Sequence, residues 1–276
     1  MQLSFHAGPE AKTILRVQVQ TPPLRVVRAF AAADGAALVH LHNVSGGVLG
    51  GDQLDLTADI GPDARAQITS TGATRVYRHR PGRAVATQTV NLTVQTGALL
   101  EYLPDTIIPF AQACYRQTTR IELAADAGLF YWEVIAPGRE ASGEFFQYDL
   151  LQLDLDIMAD KRPIAIERVQ LEPKQRPLNS RARLGDYRYY GSFYACRTGV
   201  APRRWLALET KLAELANEIT TPDEVTWGVS TLPAHGLVVR GLSNSSRLIT
   251  AGLPHFWRLA KKELYQTEAI LPRKVY

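Results

Sequence analysis

Five carboxylates between residues 101 and 144 are the side chains best suited to chemistry in this chain: Glu101, Asp105, Glu133, Glu140 and Glu144. Glu101 follows Leu99-Leu100 and Glu133 follows Tyr131-Trp132, so apolar neighbours give both acids part-buried surroundings. A buried acid is costly unless it is paired, hydrated or bound to a cation. Arg75, Arg78, Arg116 or Arg139 could neutralise the group as structural ion pairs. Two of the acids could instead form the pair of a glycosidase-like hydrolase, or the set could line an oxygen-rich route for a divalent cation. Spacing alone leaves all three readings open.

Other chemistry finds less support. His40-Leu41-His42 is the one histidine pair with metal-ligand spacing, because alternate residues of a strand share a face, but a third ligand is not evident nearby. Cys114 and Cys196 have no Cys-x-x-Cys partner and no adjacent base. Ser142-Gly143-Glu144 lacks the Gly-x-Ser-x-Gly elbow of a hydrolase. Gly46-Gly47-Val48-Leu49-Gly50-Gly51-Asp52 invites comparison with a phosphate loop, yet no Lys-Ser or Lys-Thr follows it and Leu54-Asp55-Leu56 continues as strand. The expectation is a tight turn with positive φ or close backbone approach at two points, presenting the Asp52 carboxylate.

The elements that position these residues read mainly as β. Leu15–Gln20, Ala66–Thr69, Thr89–Val94 and Leu151–Ile157 alternate apolar and polar residues, as half-buried strands do. Turn signals recur at Asp34-Gly35, Gly61-Pro62-Asp63, Arg80-Pro81-Gly82, Thr96-Gly97 and Ala127-Gly128. The similar cadence of the Gly61-Pro62, Thr96-Gly97 and Ala127-Gly128 turns suggests strand layers stacked on one another. The fold expected is mainly β, with short strands stacked as β-helix-like layers or a sandwich, and two α-helices in the C-terminal third. The first helix follows Pro202 and carries an apolar stripe of Leu208, Leu212, Leu215 and Ile219, ending at Thr220-Thr221-Pro222. The second is expected to start at Pro254 and run through Phe256, Trp257, Ala260 and Leu264. Ile270–Tyr276 reads as a short terminal strand or arm. No linker divides the chain, so residues 1–276 read as one domain.

Composition is that of an ordinary globular protein, with 46% apolar and 21% charged residues among 276. No apolar run spans a bilayer. Met1–His6 lacks the pattern of a secretory signal, so the expected compartment is the cytoplasm with both thiols reduced. The net charge of +4 hides an asymmetry: residues 101–160 hold eleven acids and three bases, residues 161–204 eleven bases and three acids. The basic stretch, with Tyr187, Tyr189 and Tyr190, raises a nucleic-acid reading, but no helix, zinc finger or RNP-type motif accompanies it. A solvated face or a docking surface for an acidic protein is the expectation.

Gly46–Asp52, then Thr69-Ser70-Thr71-Gly72-Ala73-Thr74-Arg75-Val76-Tyr77-Arg78, then Glu101-Tyr102-Leu103-Pro104-Asp105-Thr106-Ile107-Ile108-Pro109-Phe110, then Gly138-Arg139 and Gly143-Glu144-Phe145 occur in that order. This series, extending to the Trp257 helix, resembles the urease accessory protein UreD family (UreH in some bacteria). Arg75 stands where lysine is expected as often, and the charge is kept. The resemblance implies a non-enzymatic urease-maturation chaperone and scaffold in a hetero-oligomeric complex. Such a protein binds apo-urease and UreF, and through UreF the GTPase UreG, without nucleic acid or membrane. It implies stacked strands with two helices, and a polar internal tunnel that passes nickel in transit, with no tightly bound cofactor. Asp52, Glu101, Asp105, Glu133 and Glu140 are then expected along or near that path, while residues 161–204 and the C-terminal helices serve docking. A carboxylate-based hydrolase on a β scaffold is the alternative.

Overall fold

Alternation of apolar and polar residues between glycine-bearing turns becomes strand throughout the computed structural model, which describes residues 1–271. In chain order the strands are β1 (Gln2–Ala7), β2 (Thr13–Val19), β3 (Leu24–Arg25), β4 (Ala29–Ala31), β5 (Ala37–Asn43), β6 (Gln53–Ile60), β7 (Arg65–Ser70), β8 (Thr74–Val76) and β9 (Ala86–Val94). They continue with β10 (Leu99–Leu103), β11 (Ile107–Pro109), β12 (Cys114–Leu123), β13 (Gly128–Ile135), β14 (Leu150–Ala159), β15 (Arg162–Leu171), β16 (Tyr189–Arg197), β17 (Val225–Thr231) and β18 (Gly236–Ser243). The helices are α1 (Pro202–Ile219) and α2 (Ser246–Tyr265). One sheet of seven strands runs β15-β14-β12-β9-β6-β1-β2, and the second, of eleven, has the path β17-β18-β16-β13-β10-β7-β5-β3.

Successive strands β6 and β7, β9 and β10, and β12 and β13 each place one strand in each sheet. Like-positioned strands pair in parallel with their neighbours in the layers above and below. The expected cadence of turns is therefore the corner of a stacked coil. The corners hydrogen-bond to one another: the Asp63 amide donates to the Thr96 carbonyl at 3.0 Å, Gly97 to Ala125 at 3.2 Å and Gly128 to Ala98 at 2.8 Å. Each turn's backbone thus satisfies the next, as buried amides require.

Between the sheets lies a core that includes Ile60, Val94, Leu100, Ile121, Leu129 and Ile157, all fully buried. Each such side chain contributes roughly 1.5–3 kcal/mol by leaving water. The outer face of the second sheet is covered by α1 and α2, where Trp205, Leu208, Leu212, Phe256 and Trp257 pack on Phe130, Phe193 and Val239. Leu215 and Ile219 complete the α1 stripe at its margin. β2, at the edge of its sheet, is a strand as expected, but Ile14, Val17 and Val19 are exposed and only Leu15 reaches the core.

α2 begins at Ser246, eight residues before the expected start at Pro254. Ser245 caps it, its hydroxyl accepting from the Leu248 amide at 3.3 Å. Pro254 sits inside the helix with its ring buried, so the Thr250 carbonyl lacks its regular donor. Gly252 hid this first half from a propensity reading. It is required because a Cβ there would run into the Trp227 ring. Ile270 and Leu271 lie outside any strand, and the rest of the expected terminal arm lies outside the described residues.

Gly128 starts β13 where the Tyr265 hydroxyl, at the end of α2, occupies the place of a Cβ. The Tyr265 ring is held edge-on to Phe130 and beneath the Arg197 guanidinium. Gly128→Ala should cost about 2 kcal/mol in urea unfolding, the scale of overpacking. Adding Tyr265→Phe should return part of that loss. Equal stability of the two alanine proteins would show that the hydroxyl is not the obstacle.

Candidate functional site: a polar row between the sheets

In-register pairing aligns the inward residues of the first sheet in rows along the stack. Ala58, Leu92, Ile121 and Ile157 form an apolar row. Two residues nearer the start of each strand, Leu56, Val90, Thr119 and Leu155 admit one hydroxyl, and Glu167 of β15 extends this row. The next row, Leu54, Gln88, Gln117 and Leu153, holds two amides. Opposite, on the second sheet, Tyr102, Tyr131 and Tyr194 occupy paired positions and stack at 5.6 and 6.1 Å between ring centres.

These side chains join into one hydrogen-bonded line. The Tyr115 hydroxyl donates to Gln88 Oε1 at 2.8 Å and lies 3.1 Å from Gln117 Oε1. Gln117 Nε2 donates to Glu133 Oε2 at 2.8 Å, and the Tyr131 hydroxyl donates to the same oxygen at 3.1 Å. Beyond Glu133 is a cavity of about 10 Å³, bounded by Thr119, Glu167, Tyr190 and Tyr194. That is room for about one water. Tyr194 donates to Glu167 Oε1 at 2.6 Å, and Arg240 ion-pairs with the same oxygen. This pair reaches the surface, with side chains 45% and 23% exposed for Arg240 and Glu167. At the other end, a recess of about 290 Å³ descends from Gly46-Gly47 and the loop Ser70–Arg75 to Gln88 and Tyr102.

Burial raises the Glu133 carboxyl to about 7, opposed by the Tyr131 and Gln117 hydrogen bonds and reinforced by the charge of Glu167. Near neutrality it therefore gains or loses its proton at little cost. Burial pushes Tyr102, Tyr115, Tyr131 and Tyr194 far up, so all four hydroxyls remain neutral.

Of the acids expected together, Asp105 and Glu140 share a cavity and the others lie apart. Glu101 pairs in register with Phe130, so it points away from Glu133, to the helix-covered face of the sheet. There it is fully buried, 3.0 Å from Lys261 Nζ and 2.9 Å from the Trp257 indole nitrogen, which donates to it. Lys261 also bonds Asp34 at 3.1 Å. Burial pushes the Glu101 carboxyl up while Lys261 pulls it back. Its partner is this lysine rather than any of the four arginines considered from sequence. Glu144 does pair with Arg139, which together with the Ala111 amide holds its carboxyl below the usual range. Asp52 closes its own turn, accepting from the Leu49 amide at 2.8 Å. Gly46 and Gly51 have φ of 78° and 93°, and a Cβ on Gly47 would meet Tyr77 and the Arg75 carbonyl. The tight-turn expectation thus holds. Asp105 and Glu140 share a surface cavity of about 590 Å³. Asp105 bonds the Ser70 hydroxyl at 3.1 Å, and Glu140 accepts from Tyr189 at 2.7 Å and faces Arg188 at 3.4 Å. His40 and His42 lie on β5, and among the described residues no three His, Cys, Asp or Glu side chains gather to hold a metal ion.

Sequence reading missed Gln88, Tyr115, Gln117, Glu167, Arg240, Asp34 and Lys261. A signal existed for three of them. In Tyr115-x-Gln117-x-Thr119-x-Ile121-x-Leu123 and Gln88-x-Val90-x-Leu92-x-Val94, the inward positions turn polar at one end of an otherwise apolar alternation. The pairing of Glu101 with Lys261 spans 160 positions of sequence and leaves no local trace.

The family described as "UreD urease accessory protein" matches residues 1–276. A urease accessory protein UreD of Herpetosiphon aurantiacus is 49% identical over 97% of this chain and 93% of its own length. Those of Pseudomonas fluorescens and Dechloromonas aromatica are 36% and 33% identical, each over 99% of this chain and 92% of their own. Among the described residues no helix is long and apolar enough to cross a membrane.

Two variants separate the roles of the two enclosed glutamates. With a folded value near 7 and an ordinary value of 4.5, Glu133 binds more protons in the native state between those limits. Its contribution to stability is therefore present in acid and lost as pH rises through 7. Glu133→Gln removes that loss, so its stability relative to the parent should improve by about 3 kcal/mol from pH 4.5 to pH 8. A constant difference across that range would contradict the raised value. Glu101→Ala strands Lys261 with Asp34 alone and should cost about 3 kcal/mol in chemical denaturation at pH 7. A loss below 1 kcal/mol, about the worth of an exposed pair, would count against a buried one.

Proposed function

This chain belongs to the UreD family of urease accessory proteins, and from that premise we propose that its polar row is the route by which nickel reaches urease. In this reading the protein works without covalent chemistry, in the cytoplasm. It acts as a chaperone and scaffold that binds apo-urease and UreF, and through UreF the GTPase UreG. The observation that carries the proposal is the unbroken sequence Gln88–Tyr115–Gln117–Glu133, continued across a one-water cavity to Glu167 at the surface.

The ligand types suit an ion in transit. Amide, hydroxyl and carboxylate oxygens hold Ni²⁺ more loosely than imidazole or thiolate, so a wall built of them releases what it accepts. The cavity beside Glu133 is too small for a hydrated ion. Water ligands must therefore be exchanged for Gln117, Tyr131 and Glu133 oxygens one at a time. Glu133 supplies the compensating charge by giving up its proton as the cation arrives, and recovers it on release. Glu167 accepts the ion next, in exchange for its pairing with Arg240. Of the five acids expected on the path, Glu133 is the one on this row. Asp52, Glu101, Asp105 and Glu140 have the local partners described above.

A hydrolase would need two acids facing each other across an open cleft. Asp105 and Glu140 share a cavity, but the Tyr189 hydroxyl and Arg188 occupy Glu140, and the Ser70 hydroxyl donates to the Asp105 carboxylate while accepting from the Asp105 amide.

Glu133→Ala should lower the nickel content of urease matured in its presence by about tenfold, the scale on which removal of an orienting ligand contact acts. Size-exclusion profiles of the complex with UreF should stay unchanged. Metal analysis showing fully loaded urease would remove Glu133 from the route.

A further inference from the structure

α2 leaves one exposed face over the second sheet, and that face forms a wall of a separate groove of about 600 Å³. Arg247, His255 and Arg258 line the wall, and Trp132, Val134 and Leu253 lie across the floor. Trp132 is fixed there, its indole N–H donating to the Pro104 carbonyl at 2.8 Å and its ring edge-on to Trp257. Arg247 and Arg258 are exposed, while Arg168, Arg188 and Arg240 elsewhere on the surface pair with acids. The acid on the groove's rim, Asp105, is engaged by Ser70.

We propose that this groove binds an extended acidic segment of a partner protein carrying an apolar side chain between its acids. The Arg247 and Arg258 guanidinium groups are eleven residues apart, about 16 Å along the helix axis. An extended chain covers that span in about five residues. Two carboxylates at such a spacing would meet Arg247 and Arg258 while an intervening apolar side chain rests on Trp132. The groove is too large for a lone oxyanion to fill, and its apolar floor offers such an ion nothing. Guanidinium groups pair with carboxylates in a planar, two-bond geometry that rewards this arrangement.

The test is selection of a phage-displayed random-peptide library on the intact protein, followed by fluorescence anisotropy of the most enriched peptide. Enriched sequences should be acidic with an apolar residue between the acids. Affinity for the doubly reversed protein, Arg247→Glu with Arg258→Glu, should fall by about tenfold or more. Because both side chains are exposed, its melting curve should match the parent's. Enrichment of neutral or basic peptides, unchanged affinity in the reversed protein, or displacement by millimolar inorganic phosphate would each overturn the proposal. Self-association of the parent that is lost in the reversed protein would assign the face to a second copy instead, and would also overturn it. Glu133→Gln should bind the peptide normally, so failure here is distinguishable from failure of the nickel route.

Discussion

In-register parallel pairing is the constraint from which the interior follows. When coils stack without a shift, every inward residue lies against its equivalents above and below, so a polar residue in a row has its nearest inward neighbours in the adjacent coils. An apolar row seals the core at the corner end. A row that admits glutamine must supply partners for it all along the stack, since a buried amide without one is costly. Gln88, Tyr115, Gln117 and Glu133 meet that requirement for one another. A line of polar contacts between two sheets is thus a product of stacking, not an interruption of it.

The same constraint explains why two glutamates of similar sequence setting behave differently. Glu101 and Glu133 lie one strand apart, but strand pleating sends them to opposite faces. Under the helices, Glu101 meets a buried lysine and an indole and fastens α2 to the sheet. Between the sheets, Glu133 meets only neutral donors and keeps a labile proton. Ion pairing makes the first a structural tie, while desolvation without a counter-charge makes the second responsive.

Much of the architecture was legible because it is local. The alternation of Leu151–Ile157, the turn cadence at residues 61, 96 and 127, and the Leu208–Ile219 stripe each depend on periodicity within a few residues. The start of α2 was not legible, since Gly252 and Pro254 oppose helix by propensity and are tolerated only through packing on Trp227 and the sheet. The site was readable in part. Glu133 stood out by its aromatic neighbours, but which face it takes depends on strand register, and register is a property of the assembled stack. Arg240 and Glu167 meet across 73 positions, a distance no spacing rule covers.

The three stacked tyrosines carry a further consequence. Their hydroxyls stay neutral at every physiological acidity, so the wall they form is a dipolar surface with no charge of its own. With Glu167 balanced by Arg240, Glu133 is the one carboxylate of this row among the described residues that has no cationic partner. A doubly charged visitor is then never fully neutralised inside, and a second one entering behind it would feel unscreened repulsion through a medium of low dielectric constant. On the proposed route, ions would therefore pass one at a time.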